Sequence, residues 1–268
     1  MKRLILLVCA SLAIFQTVSS AQQIQSQWNG ARVAFLGDSI TDARQIGTTN
    51  DVYWNIMSDL LGTVPYVYGI SGHRMNQIVG QGERLEAEHG QDVDAIIVFV
   101  GTNDYNGNIP LGEWFSYKME KTTEDGPITV DRLRREPVFD DATFRGRTNT
   151  TLQWLKTHYP TKQIILLTPL HRGFAQFSDK NIQPDENYAN ACGYFINDYV
   201  QAVKEAGDIW AVPVIDIFSD SGLFPLIDGQ AAYYRNLETD RLHPNTEGHQ
   251  RLAKVLSYAL QAYPARLD

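Results

Sequence analysis

The segment Arg32-Val33-Ala34-Phe35-Leu36-Gly37-Asp38-Ser39 joins a short apolar run to a polar turn. The run is continuous rather than alternating, which is typical of a parallel strand covered on both faces. It ends at Gly37, so Ser39 follows at the carboxyl end of the predicted strand. Open α/β sheets hold their binding and reaction sites at that edge. We therefore expect a parallel sheet with Ser39 at its functional edge.

Four further apolar runs have the same character and predict a parallel sheet of five strands. With Arg32–Leu36, they are Val64–Tyr68, Ala95–Val100, Gln163–Leu167 and Ala211–Ile217. Helical patterns separate or follow these runs, at Tyr53–Leu61, Met75–His89, Thr143–Tyr159, Tyr188–Ala206 and Thr246–Tyr263. Strands that alternate with helices predict a three-layer α/β domain with helices on both faces of the sheet.

The domain organisation is expected to be simple. Two basic residues precede the apolar run Leu4–Phe15, and small residues follow as far as Ala21. This order predicts a signal peptide over residues 1–21, with cleavage near Ala21 and export to the periplasm or the extracellular space. The apolar run is too short to act as a stable membrane anchor. No linker or repeat divides residues 22–268, which we expect to form one domain.

Composition limits the classes of partner and cofactor that the protein is expected to bind. A formal net charge of −8 argues against nucleic acid or an anionic membrane as the main partner. The histidines lack metal-ligand spacing and no Gly-x-Gly-x-x-Gly follows a strand, so we expect no metal and no other cofactor. Cys9 belongs to the predicted signal peptide, which leaves Cys192, in a helical pattern, as an expected inert core thiol. Composition does not predict the oligomeric state.

A second polar motif lies near the C-terminus, in Asp240-Arg241-Leu242-His243-Pro244. Residues three apart on a helical turn share a face, so the carboxylate of Asp240 can orient the imidazole of His243. A serine becomes a good nucleophile when a base takes its proton and a third group orients that base. Singly, Ser39 could cap a helix and Asp240 a turn. Together, Ser39, His243 and Asp240 are candidates for a catalytic triad.

Two glycine-containing segments follow the second and third predicted strands. They are Gly69-Ile70-Ser71-Gly72 and Gly101-Thr102-Asn103-Asp104. Gly72 allows a backbone N–H to approach a ligand closely, and Asn103 offers a side-chain amide. Either segment alone is compatible with ordinary turn chemistry. The ends of parallel strands converge at one edge, however, so both are expected near Ser39.

In order and spacing, Gly37-Asp38-Ser39, Gly72, Gly101–Asp104 and Asp240–Pro244 resemble the four blocks of the GDSL, or SGNH, hydrolases. The resemblance implies a flavodoxin-like sheet with strand order 2-1-3-4-5. It also implies that Ser39 is the nucleophile, His243 the base and Asp240 its orienting acid. The oxyanion donors would be the N–H groups of Ser39 and Gly72 and the side chain of Asn103. Ile40 replaces the leucine of the family name.

The resemblance and the predicted export favour a secreted serine esterase that removes short acyl groups, acetyl above all, from a carbohydrate. It would act on a small-molecule or polysaccharide ester without a cofactor. Two alternatives remain open from the sequence. One is a lysophospholipase or other lipid esterase, and the other is a carbohydrate-binding relative without activity.

A long connection follows the third strand, over about residues 105–141, and we expect an ordered insertion beside the site. Connections of this length in compact domains are usually functional or disordered, and aromatic residues argue against disorder. Trp114 and Phe115 lie in it, and His171 and Arg172 follow the fourth strand. We therefore expect these four residues to contact the substrate, although the aromatic ones could instead form a small core of the insertion.

Overall fold

The computed structural model describes residues 26–49 and 51–267, so the predicted signal peptide lies outside the described residues. The strands are β1 Arg32–Gly37, β2 Val64–Val67, β3 Ala95–Phe99, β4 Phe115–Glu124, β5 Ile128–Pro137, β6 Gln163–Leu167, β7 Ala175–Ser178, β8 Asn181–Gln183, β9 Val214–Ile215, β10 Tyr234–Asn236 and β11 Asp240–Pro244. The helices are α1 Ile46–Thr49, α2 Tyr53–Leu61, α3 Ile78–His89, α4 Thr102–Asn106, α5 Phe144–His158, α6 Ile196–Trp210, α7 Ile217–Asp220 and α8 Thr246–Ala259.

A five-stranded sheet, ordered β2-β1-β3-β6-β9, forms the centre of the fold. All its neighbouring strands are parallel. Numbered among themselves, these strands have the order 2-1-3-4-5, which confirms the predicted fold. Ser39 and Gly101 follow β1 and β3, which pair from Val33–Ala95 to Gly37–Phe99. The turns that bear the candidate site are therefore held by adjacent strands.

Both faces of this sheet are covered, which explains the continuous apolar runs. Along β3, Ile96 and Val98 belong to one apolar cluster, whereas Ile97 and Phe99 belong to another. The first cluster includes residues of α3, α5 and α6, and the second includes residues of α2 and α8. Every residue of β3 and β6 is buried. Alternate side chains of one strand thus anchor helices on opposite faces.

The largest departure from the predicted elements is α6, which begins at Ile196 and extends to Trp210 rather than spanning Tyr188–Ala206. Residues before it form turns, in which the Asn190 side chain accepts from the N–H groups of Cys192 and Tyr194. Cys192 is exposed and its thiol donates to the carbonyl of Asn108, so the prediction of a core thiol was wrong. An asparagine that bonds to nearby backbone competes with helix formation.

The last sheet strand is also shorter than predicted, with β9 limited to Val214–Ile215. Ala211 adopts a left-handed conformation with φ of 50° and ends α6. Asp216 then caps α7 through the N–H of Ser219. The apolar composition of 211–217 therefore supplies a helix end, a short strand and a helix start rather than one strand.

The connection after β3 contains an antiparallel hairpin of β4 and β5, paired from Phe115–Pro137 to Glu124–Ile128. Its base is held by Asn149 of α5, whose amide donates to the carbonyls of Trp114 and Val138. The rest of the hairpin is largely exposed. A second small sheet, ordered β10-β11-β7-β8, had no counterpart in the predicted elements. No helix among residues 26–49 and 51–267 is long and apolar enough to span a membrane.

Candidate active site

Ser39 lies in a tight turn directly after β1, and the backbone before it is fixed from two sides. The buried amide of Gln81, on α3, accepts from the N–H of Gly37 at 2.8 Å and donates to its carbonyl at 2.7 Å. A Cβ on Gly37 would lie 2.8 Å from the carbonyl oxygen of Phe99. The Asp38 carboxylate accepts from the N–H of Ile40. This turn is therefore both crowded and hydrogen-bonded, which orients Ser39.

His243 and Asp240 complete a continuous chain of hydrogen bonds with Ser39. Nε2 of His243 lies 2.8 Å from Oγ of Ser39, and Nδ1 lies 3.1 and 3.0 Å from the two carboxylate oxygens of Asp240. With its proton on Nδ1, the imidazole donates to Asp240 and accepts the Ser39 hydroxyl. All three residues are buried. The geometry is that of a nucleophile, a base and an orienting acid.

The spacing of Asp240 and His243 predicted a helical turn. The structure instead places both residues in the short strand β11. Antiparallel neighbours hold that strand, since Asp240 pairs with Ala175 of β7 and with Asn236 of β10. The acid reaches His243 because its Oδ1 also accepts the N–H groups of Leu242 and His243. Burial alone would raise the pKa of Asp240, but the bonds from His243 outweigh it and lower the pKa.

Donors for an oxyanion lie beside this chain. The N–H groups of Ser39 and Gly72 have no hydrogen-bond partner among the described residues. Asn103 donates one amide hydrogen to the carbonyl of His73 at 3.1 Å, which leaves its second hydrogen available. Ser39, Gly72 and Asn103 line one cavity of about 270 Å³ together with His243. Three unused donors thus lie around the space next to the serine.

The loop with Gly72 is fixed by Asp42, whose carboxylate accepts the N–H and the hydroxyl of Ser71, both at 2.9 Å. Burial would raise the pKa of Asp42, but its bonds from Arg44 and Ser71 hold that pKa well below its usual range. Gly72 has a φ of 83°, in the left-handed region that favours glycine. The sequence requirement at Gly72 is therefore conformational.

Several residues of the cavity wall had not been predicted. They are Gln45, Ser71, Phe177, Asn181, Gln183, Arg235 and Leu242. Phe177, on β7, is 43% exposed and its ring centroid lies 5.3 Å from that of His243. Arg235 donates to Gln45, and its Nε is buried without a partner among the described residues. Ser71 and Leu242 lie within sequence motifs, next to Gly72 and His243. The other five belong to no motif, so the sequence offered little to distinguish them.

The structure does not bring Trp114 and Phe115 to this cavity. Trp114 is 9% exposed in the apolar cluster next to α5 and α6, and its indole donates to Glu205 at 2.7 Å. Phe115 packs against the same cluster and against the guanidinium of Arg135. Both side chains therefore anchor the hairpin of β4 and β5. The two aromatic residues therefore pack on the main apolar core of the domain, and do not form a separate small core within the insertion.

His171 and Arg172 are also absent from the wall of the cavity at Ser39. Arg172 is 1% exposed and donates to the carbonyl and hydroxyl of Thr102, the residue before Asn103, and to Gln183. His171 bonds to Glu186 at 2.6 Å and packs against Phe218. Neither side chain lines the cavity at Ser39, and Arg172 instead stabilises the strand-end turn that holds Asn103.

The carboxyl group of Asp38 does not contact the serine hydroxyl, but it is a buried titratable group next to the site. Burial raises its pKa to about 7, and the neighbouring carboxylate of Asp104 adds to that increase. The positive charge of Arg172 acts in the opposite direction and lowers the pKa of Asp38. Burial in turn lowers the pKa of Arg172 to about 10. Buried charged groups thus lie beneath the site, which is common where function constrains a fold.

Comparison with known proteins identifies the family. A family model described as the GDSL-like lipase/acylhydrolase family matches residues 35–251. A solved structure from Lactobacillus plantarum is 27% identical over 88% of this chain and 98% of its own, with a TM-score of 0.66. A possible lipase from Chitinophaga pinensis is 19% identical over 86% and 98%, with a TM-score of 0.64.

A mutant of an acetyl-xylooligosaccharide esterase from Geobacillus also has this fold. It is 21% identical over 88% of this chain and 94% of its own, with a TM-score of 0.52. No curated protein matches the sequence at a significant level. The family match extends from β1 into α8 and includes every block of the candidate site. The chain therefore belongs to the GDSL-like lipase/acylhydrolase family and is a carboxylic-ester hydrolase.

Proposed function

We propose that this protein is an exported serine esterase that removes short acyl groups, acetyl above all, from a carbohydrate. The observation that carries the catalytic part is the chain from Ser39 through His243 to Asp240, with unused N–H donors beside Oγ of Ser39. A binding protein needs neither a base on its serine nor converging free donors. These features support catalysis over a carbohydrate-binding relative without activity.

In the proposed reaction, Ser39 Oγ attacks the acyl carbon while Nε2 of His243 takes the hydroxyl proton. The N–H groups of Ser39 and Gly72 and the amide of Asn103 stabilise the resulting oxyanion. The C–O bond to the alcohol then breaks, and His243 gives its proton to the leaving oxygen. His243 then takes a proton from water, which attacks the acyl carbon of the acyl-enzyme. The bond from the acyl carbon to Ser39 Oγ breaks, His243 returns the proton to Oγ, and the acid is released. Asp240 stabilises the imidazolium in both halves.

The wall of the cavity favours a polar alcohol over a lipid. Gln45, Asn181, Gln183 and Arg235 contribute amide and guanidinium groups, whereas the apolar side chains at the wall are Phe177 and Leu242. A long acyl chain would need a continuous apolar channel to remove it from water. Sugar hydroxyls, by contrast, can use amide donors and acceptors and an exposed aromatic face. The structural neighbour named as an acetyl-xylooligosaccharide esterase suggests a first substrate to test.

Export rests on the sequence of residues 1–21, and we propose that residues 22–268 act outside the cytoplasm as one domain with an insertion at about 105–141. An enzyme in that location meets polysaccharides directly. The full chain has a net charge of −8, which becomes −10 without Lys2 and Arg3; this charge is compatible with a neutral glycan and disfavours anionic lipid surfaces.

A direct test compares kcat/KM on acetylated xylo-oligosaccharides, an acetylated gluco-oligosaccharide, a lysophospholipid and 4-nitrophenyl esters from acetyl to octanoyl. We expect the acetylated glycans and the acetyl aryl ester to be cleaved, with octanoyl at least about tenfold slower. A preference for octanoyl or for the lysophospholipid would replace the carbohydrate assignment with the lipid one.

A further inference from the structure

A second cavity, of about 400 Å³, lies beyond the one that contains Ser39. Its wall combines side-chain amides with tyrosines, and includes Tyr105, Asn106, Asn108, Lys180, Asn181 and Tyr188. None of these residues except Asn181 lines the catalytic cavity. It is a separate space whose role the proposed catalytic chemistry leaves unexplained.

Two elements of the fold line both cavities, so the two spaces adjoin. Helix α4 presents Asn103 to the first cavity and Asn106, one helical turn later, to the second. The turn between β7 and β8 leads to Asn181, which lines both. One helical turn advances about 5 Å, which is comparable to one ring of a sugar chain. A ligand long enough to extend from the catalytic cavity along α4 would therefore reach the second cavity.

Polar groups in the second cavity are available for a ligand. Asn106 makes no side-chain hydrogen bond with any described residue, and Lys180 has no ion-pair partner among them. Asn181 uses its Oδ1 to accept from Gln183, which leaves its amide hydrogens unused. Asn108 likewise uses Oδ1, to accept from the N–H of Ala191. The wall thus offers spare donors at several points, which is the chemistry that binds hydroxyl and ring oxygens.

An exposed aromatic ring completes this arrangement. Tyr188 is 63% exposed, and its backbone is held because its carbonyl accepts from the hydroxyl of Tyr105 at 2.5 Å. Tyr105 itself is buried, with the guanidinium of Arg172 over its ring. An exposed aromatic face next to amides suits the apolar C–H face of a sugar and is a poor lining for an acyl chain.

We infer that the second cavity is a subsite for the sugar unit next to the esterified one, so that the enzyme prefers acetylated oligosaccharides to acetylated monosaccharides. This inference rests on the proposed function. The acyl group occupies the space beside Gly72 and Asn103. The esterified sugar lies against Phe177 and Asn181, and the next unit contacts Asn106 and Tyr188.

The test measures kcat/KM for matched acetylated monosaccharides and tetrasaccharides in the xylose, glucose and N-acetylglucosamine series. In the best series we expect the tetrasaccharide to be preferred at least about tenfold. Asn106→Ala and Tyr188→Ala should each raise KM for the tetrasaccharide about fivefold, the effect of losing one net hydrogen bond or aromatic contact. They should leave kcat on the tetrasaccharide unchanged.

Matched controls separate this effect from general changes. Asn55→Ala removes another partly exposed helical asparagine that has no side-chain bond with the described residues, and Tyr258→Ala removes a tyrosine that is 61% exposed on α8. Both should behave as wild type on every substrate. Hydrolysis of 4-nitrophenyl acetate, which needs only the cavity at Ser39, reports correct folding of each variant.

The outcomes distinguish the inference from the proposed function. If the wild type cleaves acetylated monosaccharides as well as tetrasaccharides in every series, the second cavity is not a glycan subsite, although the proposed function stands. The same conclusion follows if Asn106→Ala and Tyr188→Ala match their controls. If 4-nitrophenyl acetate is cleaved but no acetylated sugar of any length is, the proposed function fails and the inference falls with it.

Discussion

The amide of Gln81 offers a sharp test of how the site is built. Gln81 is 1% exposed and bonds to both backbone groups of Gly37, two residues before Ser39. Gln81→Leu keeps a similar volume but removes both bonds. It also removes the contact of the Gln81 amide with Nδ1 of His73 at 3.0 Å, which water can replace because His73 is partly exposed. The carbonyl of Gly37 keeps its bond from the N–H of Ile70, whereas its N–H loses the amide partner. One position on α3 therefore supports the turn that carries the candidate nucleophile.

The magnitude follows from these contacts. Orphaning a buried N–H costs about 1–3 kcal/mol, and the second lost bond adds about 1 kcal/mol, so we expect a loss of about 2–4 kcal/mol. For a chain of this size that lowers Tm by about 5–15 °C. A small displacement of reacting groups lowers the rate strongly, so kcat on 4-nitrophenyl acetate should also fall about tenfold to a hundredfold.

The assay combines thermal unfolding with kcat, measured at a temperature where the variant is fully folded. Gln153→Leu is the matched control, since Gln153 is an exposed glutamine on α5 whose side chain makes no bond with the described residues. If Gln81→Leu had the Tm and kcat of Gln153→Leu, the turn would not depend on this amide and its supporting role would be wrong.

Three further predictions concern the site and its surroundings. Asn103→Ala should lower kcat about 10²–10³-fold with little change in KM, as expected for an oxyanion donor; a rise in KM alone would make Asn103 a ground-state contact. Asp38 has a raised pKa of about 7, above its unfolded value of about 3.9, so the native state holds the extra proton and stability should fall as pH rises from about 4 to 7. In urea unfolding, Asp38→Asn should reduce the stability difference between pH 5 and pH 8; an unchanged difference would contradict a raised pKa. Replacing residues 117–135 by a short Gly/Ser turn should leave 4-nitrophenyl acetate turnover within about twofold, because the hairpin does not line the cavity at Ser39; a large loss in folded protein would show that it supports the site.

The central sheet was predictable because burial on both faces requires a continuous apolar run in β1, β3 and β6. The positions of Ser39, Gly72 and Asn103 after successive strands followed from the same topology. The contact between Asp240 and His243 was also predictable from their spacing, although the helical turn expected for it was wrong. A strand with antiparallel neighbours reaches the same contact through the backbone bonds of the Asp240 carboxylate.

The substrate side was much less predictable, because it depends on tertiary contacts that leave no local pattern. Arg172 has the character of a polar ligand-binding residue, yet it is buried and bonded to Thr102. Trp114 is typical of a platform for a sugar and is instead part of the core. Phe177 does lie at the cavity, but it belongs to the four-residue strand β7, in which the adjacent residues Gln176 and Ser178 are exposed. Such a short strand has no pattern that marks Phe177 as a site residue.

Covalent labelling of the folded protein with a fluorophosphonate, located by peptide mass spectrometry, tests catalysis by Ser39 most directly. We predict a single stoichiometric adduct on Ser39, because His243 activates that hydroxyl and the free N–H groups stabilise the bound phosphonate oxygen. Labelling should be lost in Ser39→Ala and slowed at least about a hundredfold in His243→Ala. An unlabelled Ser39 in folded wild-type protein, or labelling at equal rate without His243, would contradict the assignment of Ser39 as an activated nucleophile.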